Sequence, residues 1–493
     1  MANRLRAVLP ILFLWSCGNT ENKPEALARR HCSSCHAFVE PSMLDRRTWE
    51  SGVFPEMAFR VGLDVSGLSD IDEADMPTVL RSLPEHPSIS EEDWKLILEY
   101  YLKNAPDSLQ VPDAGTFLPL AQFKPISIPL SGRSNTLLTL MKFDTSRQKF
   151  FVGNRRSVLY QLNSSLNVED SFRLESPPSD IVFRHPEDPL LLCMGMMDPN
   201  DRTEGVVLQL DIQTKSHRII LDSLKRPVDL AYADLNGDGK QDFIISEFGN
   251  FTGHLNAYQQ TGENEYRSHF IHNFPGTRKT IVRDMNGDGM PDILALITQG
   301  DEQIALFTNR GDFRFSYQVL LKFPAVYGSS FFDLCDFNDD GFPDILYTNG
   351  HNGDYSYLLK PYHGLRIFMN DGKNAFKESF FFPMHGASMA EALDYDEDGD
   401  LDIAAISFFP DFENHPEHGF IYLENRDGSF IPYTTPLAAS GRWITMDSAD
   451  IDSDGDTDIL IGALDFPTFV PEKLVKKWGE EKISMLVFRN NLR

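Results

Sequence analysis

Cysteine is scarce in this chain: five occur in 493 residues. So small and odd a number, spread over that length, does not describe a disulfide scaffold, and each thiol has to be read separately. Basic residues are also short. Lys and Arg total 45 against 73 Asp and Glu, a formal charge of −28, which argues against a nucleic-acid partner held by phosphate neutralisation. Beyond the first residues no apolar run approaches the roughly eighteen needed to span a membrane. No serine–histidine–acid arrangement, nucleotide loop or paired catalytic carboxylates stand apart from the acidic repeats below, so no catalytic constellation is recognised. What is present is core-forming material. Apolar residues at 41%, with 12% aromatics, exclude disorder, and the length suggests two to four domains.

The chain opens with Arg4 and Arg6 ahead of an apolar run from Ala7 to Trp15, too short for a membrane-spanning helix and suited to export. It ends in Leu14-Trp15-Ser16-Cys17, which resembles a bacterial lipoprotein box. The resemblance implies a signal peptide over 1–16, Cys17 as a lipidated new N-terminus, and a tether over 17–24. An exported protein held by its lipid at the outer membrane or in the periplasm, or displayed at the cell surface, is expected.

Residues 25–31 favour a helix and lead into Cys32-Ser33-Ser34-Cys35-His36. Two thiols three positions apart followed by histidine match the c-type haem attachment pattern: the thiols add to the haem vinyl groups and the imidazole reaches the iron. A thioredoxin-like dithiol would need a βαβ context, and half a zinc site would need two more convergent ligands. Ser90 is a good N-cap, and Trp94, Ile97, Leu98, Tyr101 and Leu102 recur on one face of a helix that Pro106 stops. The segment 25–106 resembles monohaem cytochromes c, which implies a small all-α domain around one covalent haem c. Met57 is the favoured distal ligand, with Met76, followed by Pro77, as the alternative and Met43 a distant third.

The remaining three quarters repeat one pattern. Its copies are Asp234-x-Asn236-x-Asp238-Gly-x-x-Asp242, Asp284-x-Asn286-x-Asp288-Gly-x-x-Asp292, and Asp336-x-Asn338-x-Asp340-Gly-x-x-Asp344. Two more are Asp394-x-Asp396-x-Asp398-Gly-x-x-Asp402 and Asp450-x-Asp452-x-Asp454-Gly-x-x-Asp458. Oxygens at alternating positions, a glycine for a sharp turn and a final carboxylate make a calcium cage shorter than an EF-hand loop. Each leads into a β-type apolar run. About five Ca2+ ions would offset carboxylates that otherwise repel one another.

Successive copies start 50, 52, 58 and 56 residues apart, a blade-sized period. The pattern resembles FG-GAP or VCBS-type repeat propellers, which implies an all-β propeller over 126–493 after a linker at 107–125. Stretches around Phe143 to Val152 and Ile181 to Met194 read as two further blades without the carboxylates, Arg147 and Lys149 spoiling the first as a cation site. Seven blades are expected, in preference to eight or an open solenoid. Cys193 and Cys335 read as buried free thiols.

The fold class is thus multidomain, an all-α haem domain followed by a propeller. Insertions at 350–364, 408–419 and 466–478, rich in aromatics and histidine, lie opposite the metal loops, where they either recognise a partner or simply pack between blades. The favoured function is electron transfer, with the propeller docking a redox partner protein or membrane complex. The alternatives are a cell-surface glycan- or protein-binding propeller with an accessory haem and, more weakly, a periplasmic oxidoreductase.

Overall fold

The computed structural model describes residues 23–492 except 72, 74, 113–114, 131–136, 185–187 and 354–355. The expected signal peptide, Cys17 and most of the tether lie outside the described residues, as does Tyr355 of the 350–364 loop.

A helical region comes first. Helix α1 (Lys23–Cys32) has Glu25 in its first turn and Arg29, Arg30 and His31 in its last, matching the helix dipole. Helix α2 (Arg46–Thr48) runs through a wide turn at Trp49–Val53 into α3 (Phe54–Arg60). Phe54 donates its N–H back to the Trp49 carbonyl, five residues earlier, because the next residue, Pro55, has no N–H with which to continue an ordinary α-turn. Helices α4 (Met76–Ser82) and α5 (Glu91–Asn104) follow. Ser90 caps α5 as expected, its hydroxyl accepting from the Asp93 N–H at 3.1 Å.

Helix α5 packs on α1, and Trp49 lies at the centre of the cluster they share, 4.5 Å from the Tyr101 ring and 6.0 Å from Phe54. Its polar atoms are satisfied: Trp49 Nε1 donates to the Pro41 carbonyl and Tyr101 Oη to that of Val39. Among the described residues no helix is long and apolar enough to cross a membrane.

Seven sheets follow, whose first strands contact one another in a closed circle, so the chain forms a seven-bladed propeller. The two blades without acidic loops begin at Leu138–Asp144 and Pro178–Val182, and those with them at Pro227–Ala233, Thr277–Arg283, Ser329–Cys335, Ala387–Leu393 and Trp443–Ala449. Second strands are buried on both faces, which is why they read as continuous apolar runs.

Blade 7 takes its outer strand from the beginning of the propeller. Phe123–Ile128 pairs antiparallel with Met485–Asn490, Phe123 opposite Asn490. This strand fastens the two ends of the propeller together and removes an open sheet edge. Leu118–Pro119 adds a parallel strand to the rim of blade 6, so the stretch read as a linker at 107–125 carries strand residues. Helix α6 (Glu472–Glu481) lies within blade 7 and buries Leu474 and Trp478 against Phe412.

Candidate functional site

The five acidic loops share one geometry. In each, the first aspartate turns an oxygen inward to accept the N–H of the motif glycine: Gly239, Gly289 and Gly341 at 2.8 Å, Gly399 at 3.1 Å and Gly455 at 3.2 Å. These glycines have φ between +81° and +103°, which explains the residue type. The last aspartate lies beneath the loop, almost inaccessible. Asp292 accepts from Met285 N at 3.0 Å through one oxygen and from Asn309 N at 2.8 Å through the other. Asp242, Asp344, Asp402 and Asp458 repeat that double brace. Burial pushes Asp402 up to about 7 and Asp458 to about 6.

The alternating positions gather at the loop tip. One oxygen from each of Asp394, Asp396 and Asp398 lies within 4.8 Å of the others, and the same holds for Asp450, Asp452 and Asp454. Oδ1 of Asp450 is buried with no hydrogen-bond partner, as a cation ligand would be. In two loops an asparagine joins neighbours: Asn236 Nδ2 donates to Asp238, and Asn338 Nδ2 to Asp340. In blade 7 the Arg489 guanidinium pairs with Asp452. In blade 1, where no cation site was expected, Arg147 fills the place of one, 2.6 Å from Asp144.

At the opposite end of the chemistry, α1 ends at Cys32; Cys35 is exposed, Cys32 half-buried, and both are free thiols. His36 Nδ1 lies 2.8 Å from the Ala37 carbonyl. A carbonyl only accepts, so Nδ1 is the donor in this contact and Nε2 is the nitrogen left over for a metal. That arrangement suits an imidazole that binds iron through Nε2 and is oriented by its backbone neighbour. Cys32, Met43 and Met57 all pack against the Trp49–Tyr101 cluster. Met76 is half-buried at the start of α4 and is not among the described side chains packed there.

The helical region is seated on the face away from the acidic loops. Ala37 pairs with Pro324 in a parallel bridge, Val326 is buried in the Trp49–Tyr101 cluster, and Tyr362 Oη donates to the Met43 carbonyl at 3.1 Å. A second contact brings Phe251 to Phe59, 6.5 Å between centroids, with the Arg60 guanidinium 4.3 Å from the Phe251 ring. The loops expected either to recognise a partner or to pack do much of the latter. Tyr357 stacks on Phe469, and Phe408, Phe409 and Phe412 surround the buried Arg442, whose guanidinium also donates to the Phe408 and Phe466 carbonyls.

The FG-GAP-like repeat family matches residues 284–347 and 394–461, which span four of the five acidic loops. These are FG-GAP-like repeats. The chain is also similar to the N-terminal domain of Nup159 at 11% identity and a TM-score of 0.45, covering 77% of this chain and 98% of that one. The Neurospora crassa Pan2 WD40 domain gives 10% and 0.45, covering 76% and 98%, and the Dos1 propeller 8% and 0.43, covering 74% and 84%.

The blades are also tied together by carboxylates outside the repeated motif. Asp180 accepts from Leu230 N at 3.0 Å, Asp229 from Thr280 N at 2.8 Å, Asp447 from Phe143 N at 2.7 Å, and Glu391 from the Ser448 hydroxyl at 2.6 Å. Each bond joins the first strand of one blade to that of the next. Burial pushes Asp229 up to about 6 and Asp447 to about 8. Lys142 is held above its usual value by Asp180. The available signal was the Pro-x-Asp at the start of the blades beginning with Pro178 and Pro227. Of the thiols expected to be buried, Cys193 is, and burial pushes it up to about 12; Cys335 is half-buried.

Proposed function

We propose that this chain is an exported, lipid-anchored electron-transfer protein: a monohaem helical domain carried on a calcium-stabilised docking propeller. The observation that carries the reading is the His36–Ala37 hydrogen bond, which engages Nδ1 and leaves Nε2 of a Cys-x-x-Cys-His motif as the nitrogen that could reach iron. A haem c bound there supplies a reversible one-electron iron couple. The chain's own residues do the rest. Cys32 and Cys35 offer thiols for covalent attachment, His36 a fixed nitrogen, and Met57 a thioether from α3 beside the same apolar cluster. Trp49, Phe54 and Tyr101 keep water from the inner side.

On this reading the propeller fixes the helical domain in one orientation toward a redox partner. The five loops, with calcium bound through Asp234 to Asp242 and their four counterparts, stiffen the face away from the helical domain. Cys17 carries the lipid. The test is to make the protein in cells with a working haem-ligation apparatus and record its intact mass and absorption spectrum in both oxidation states. One covalent haem per chain, absent from Cys35→Ser, and reduction by a small cytochrome are expected. Bare polypeptide would sink the redox reading and leave a binding propeller.

A further inference from the structure

We infer that His415, Glu417 and His418 form a site for one divalent transition-metal ion of the zinc class, separate from the acidic loops and from His36. The site lies between the second and third strands of blade 6 (Asp402–Ser407 and Phe420–Arg426). It is therefore on the face opposite the FG-GAP-like acidic loops. A short turn at Pro416–Gly419 holds Glu417 and His418, and His415 immediately precedes it. Asp411 fixes the approach: its carboxylate accepts the Glu413 and Asn414 N–H groups at 3.2 and 3.1 Å, and its carbonyl accepts that of His415 at 2.8 Å. The His418 N–H then donates to the His415 carbonyl at 3.1 Å.

Both imidazoles converge on one oxygen. Glu417 Oε1 is 3.3 Å from His415 Nδ1 and 3.9 Å from His418 Nε2, and a ligand atom from each residue lies within 4.8 Å of the others. With metal–ligand bonds of about 2.0 to 2.2 Å, a tetrahedral ion holds adjacent ligands roughly 3.3 Å apart, close to the His415–Glu417 separation and shorter than the His418–Glu417 one. The His415 and His418 rings stack, 4.8 Å between centroids and 6° from parallel, and an ion lies in the plane of each imidazole that binds it, so binding requires one ring to turn out of the stack toward Glu417. Two imidazoles and a carboxylate favour zinc-class ions over calcium or magnesium, which select all-oxygen sets.

Two further observations point the same way. His418 is only 16% exposed and its ring rests on Phe117, 4.1 Å between centroids, so it is already ordered. His385, within electrostatic reach of His415 and His418, has a buried Nδ1 with no hydrogen-bond partner. An ion here would hold the 415–418 turn against Phe117, in the segment joining the helical region to the propeller, and would keep a coordination position open to water.

The test titrates the full-length protein, in excess calcium, with Co2+ and then Zn2+, following the cobalt d–d bands and the number of tightly bound equivalents. Wild type is expected to bind one equivalent more than His415→Gln, and Glu417→Gln to bind that equivalent at least tenfold more weakly. His415 is half-exposed, so its replacement leaves packing intact, and a melting curve in chelator checks this. Metal bound through Cys32 and Cys35 gives thiolate charge-transfer bands and persists in both variants. Equal stoichiometry and affinity in wild type, His415→Gln and Glu417→Gln would overturn the site.

Discussion

Tyr362 donates its hydroxyl proton to the Met43 carbonyl, 3.1 Å away across the boundary between propeller and helical region. Its ring stacks on Tyr327, 5.1 Å between centroids and 11° from parallel. The hydrogen bond and the stack can be removed separately. Tyr362→Phe keeps the stack and should cost about 1 kcal/mol. Tyr362→Ala also opens a cavity beside Val326 and should cost about 2 kcal/mol more. Native-state hydrogen exchange would show the loss in α1 and α5 and none in blade 2. Equal effects for the two variants would mean that the hydrogen bond, not the packing, holds the helical region down.

Asp201 supports the second contact. Its buried carboxylate accepts the Asn250, Phe251 and Thr252 N–H groups and the Thr252 hydroxyl, all between 2.8 and 3.1 Å, while its own N–H donates to Asp75 in the helical region. Asp201→Ala strands these donors and should destabilise by about 3 kcal/mol, with Phe251 released from Arg60. Urea unfolding measures the total. Exchange at residues 250–252 locates it, and protection there equal to wild type would rule out the strap.

These two contacts divide what could be read from the sequence from what could not. The acidic loops and the strands after them were legible because the turn needs its glycine and its oxygens at fixed spacing, and a doubly buried strand needs an apolar run. Ser90 announced α5 for the same local reason. The Phe123–Ile128 closure, the Asp180 and Asp229 ties and the Asp201 strap pair residues far apart in the chain. No local propensity signals such a pairing. The aromatic insertions stayed ambiguous in sequence because exposed recognition and blade packing draw on the same residue types, and Arg442, which organises them, is a single unremarked cation in sequence.

Glu302 makes stability depend on pH. Buried at 2% exposure, it accepts the Gly328 and Ser329 N–H groups, and burial pushes its carboxyl up to about 7. The folded state therefore binds this proton more tightly than the unfolded chain, whose ordinary value is near 4.5. Its contribution is complete below about pH 4.5 and is lost as the pH rises through 7, a change of roughly 3 kcal/mol. Glu302→Gln cannot titrate. Thermal unfolding between pH 5 and 8 should show wild type losing stability relative to the variant as pH rises, and parallel curves would assign the dependence to other groups.

Calcium removal should act unevenly, because blade 7 already contains a competing cation. Arg489 pairs with Asp452, whereas the equivalent loop of blade 6 has no such arginine contact at Asp396 among the described ion pairs. An ion at a hundred times its dissociation constant adds about 2.7 kcal/mol to the folded state at each occupied site, so chelation should lower the melting temperature of wild type. Arg489→Met removes a positive charge beside the blade 7 carboxylates. If those carboxylates bind calcium, the variant should bind it several-fold more tightly at that loop, and its melting temperature should rise more steeply with added calcium. Asp394→Ala should instead abolish one equivalent from blade 6 and leave the Arg489 effect intact, because the two loops share no ligand. Calorimetric titration separates the sites. An Arg489→Met protein that binds no more tightly than wild type would show that Arg489 does not compete with an ion for the blade 7 loop.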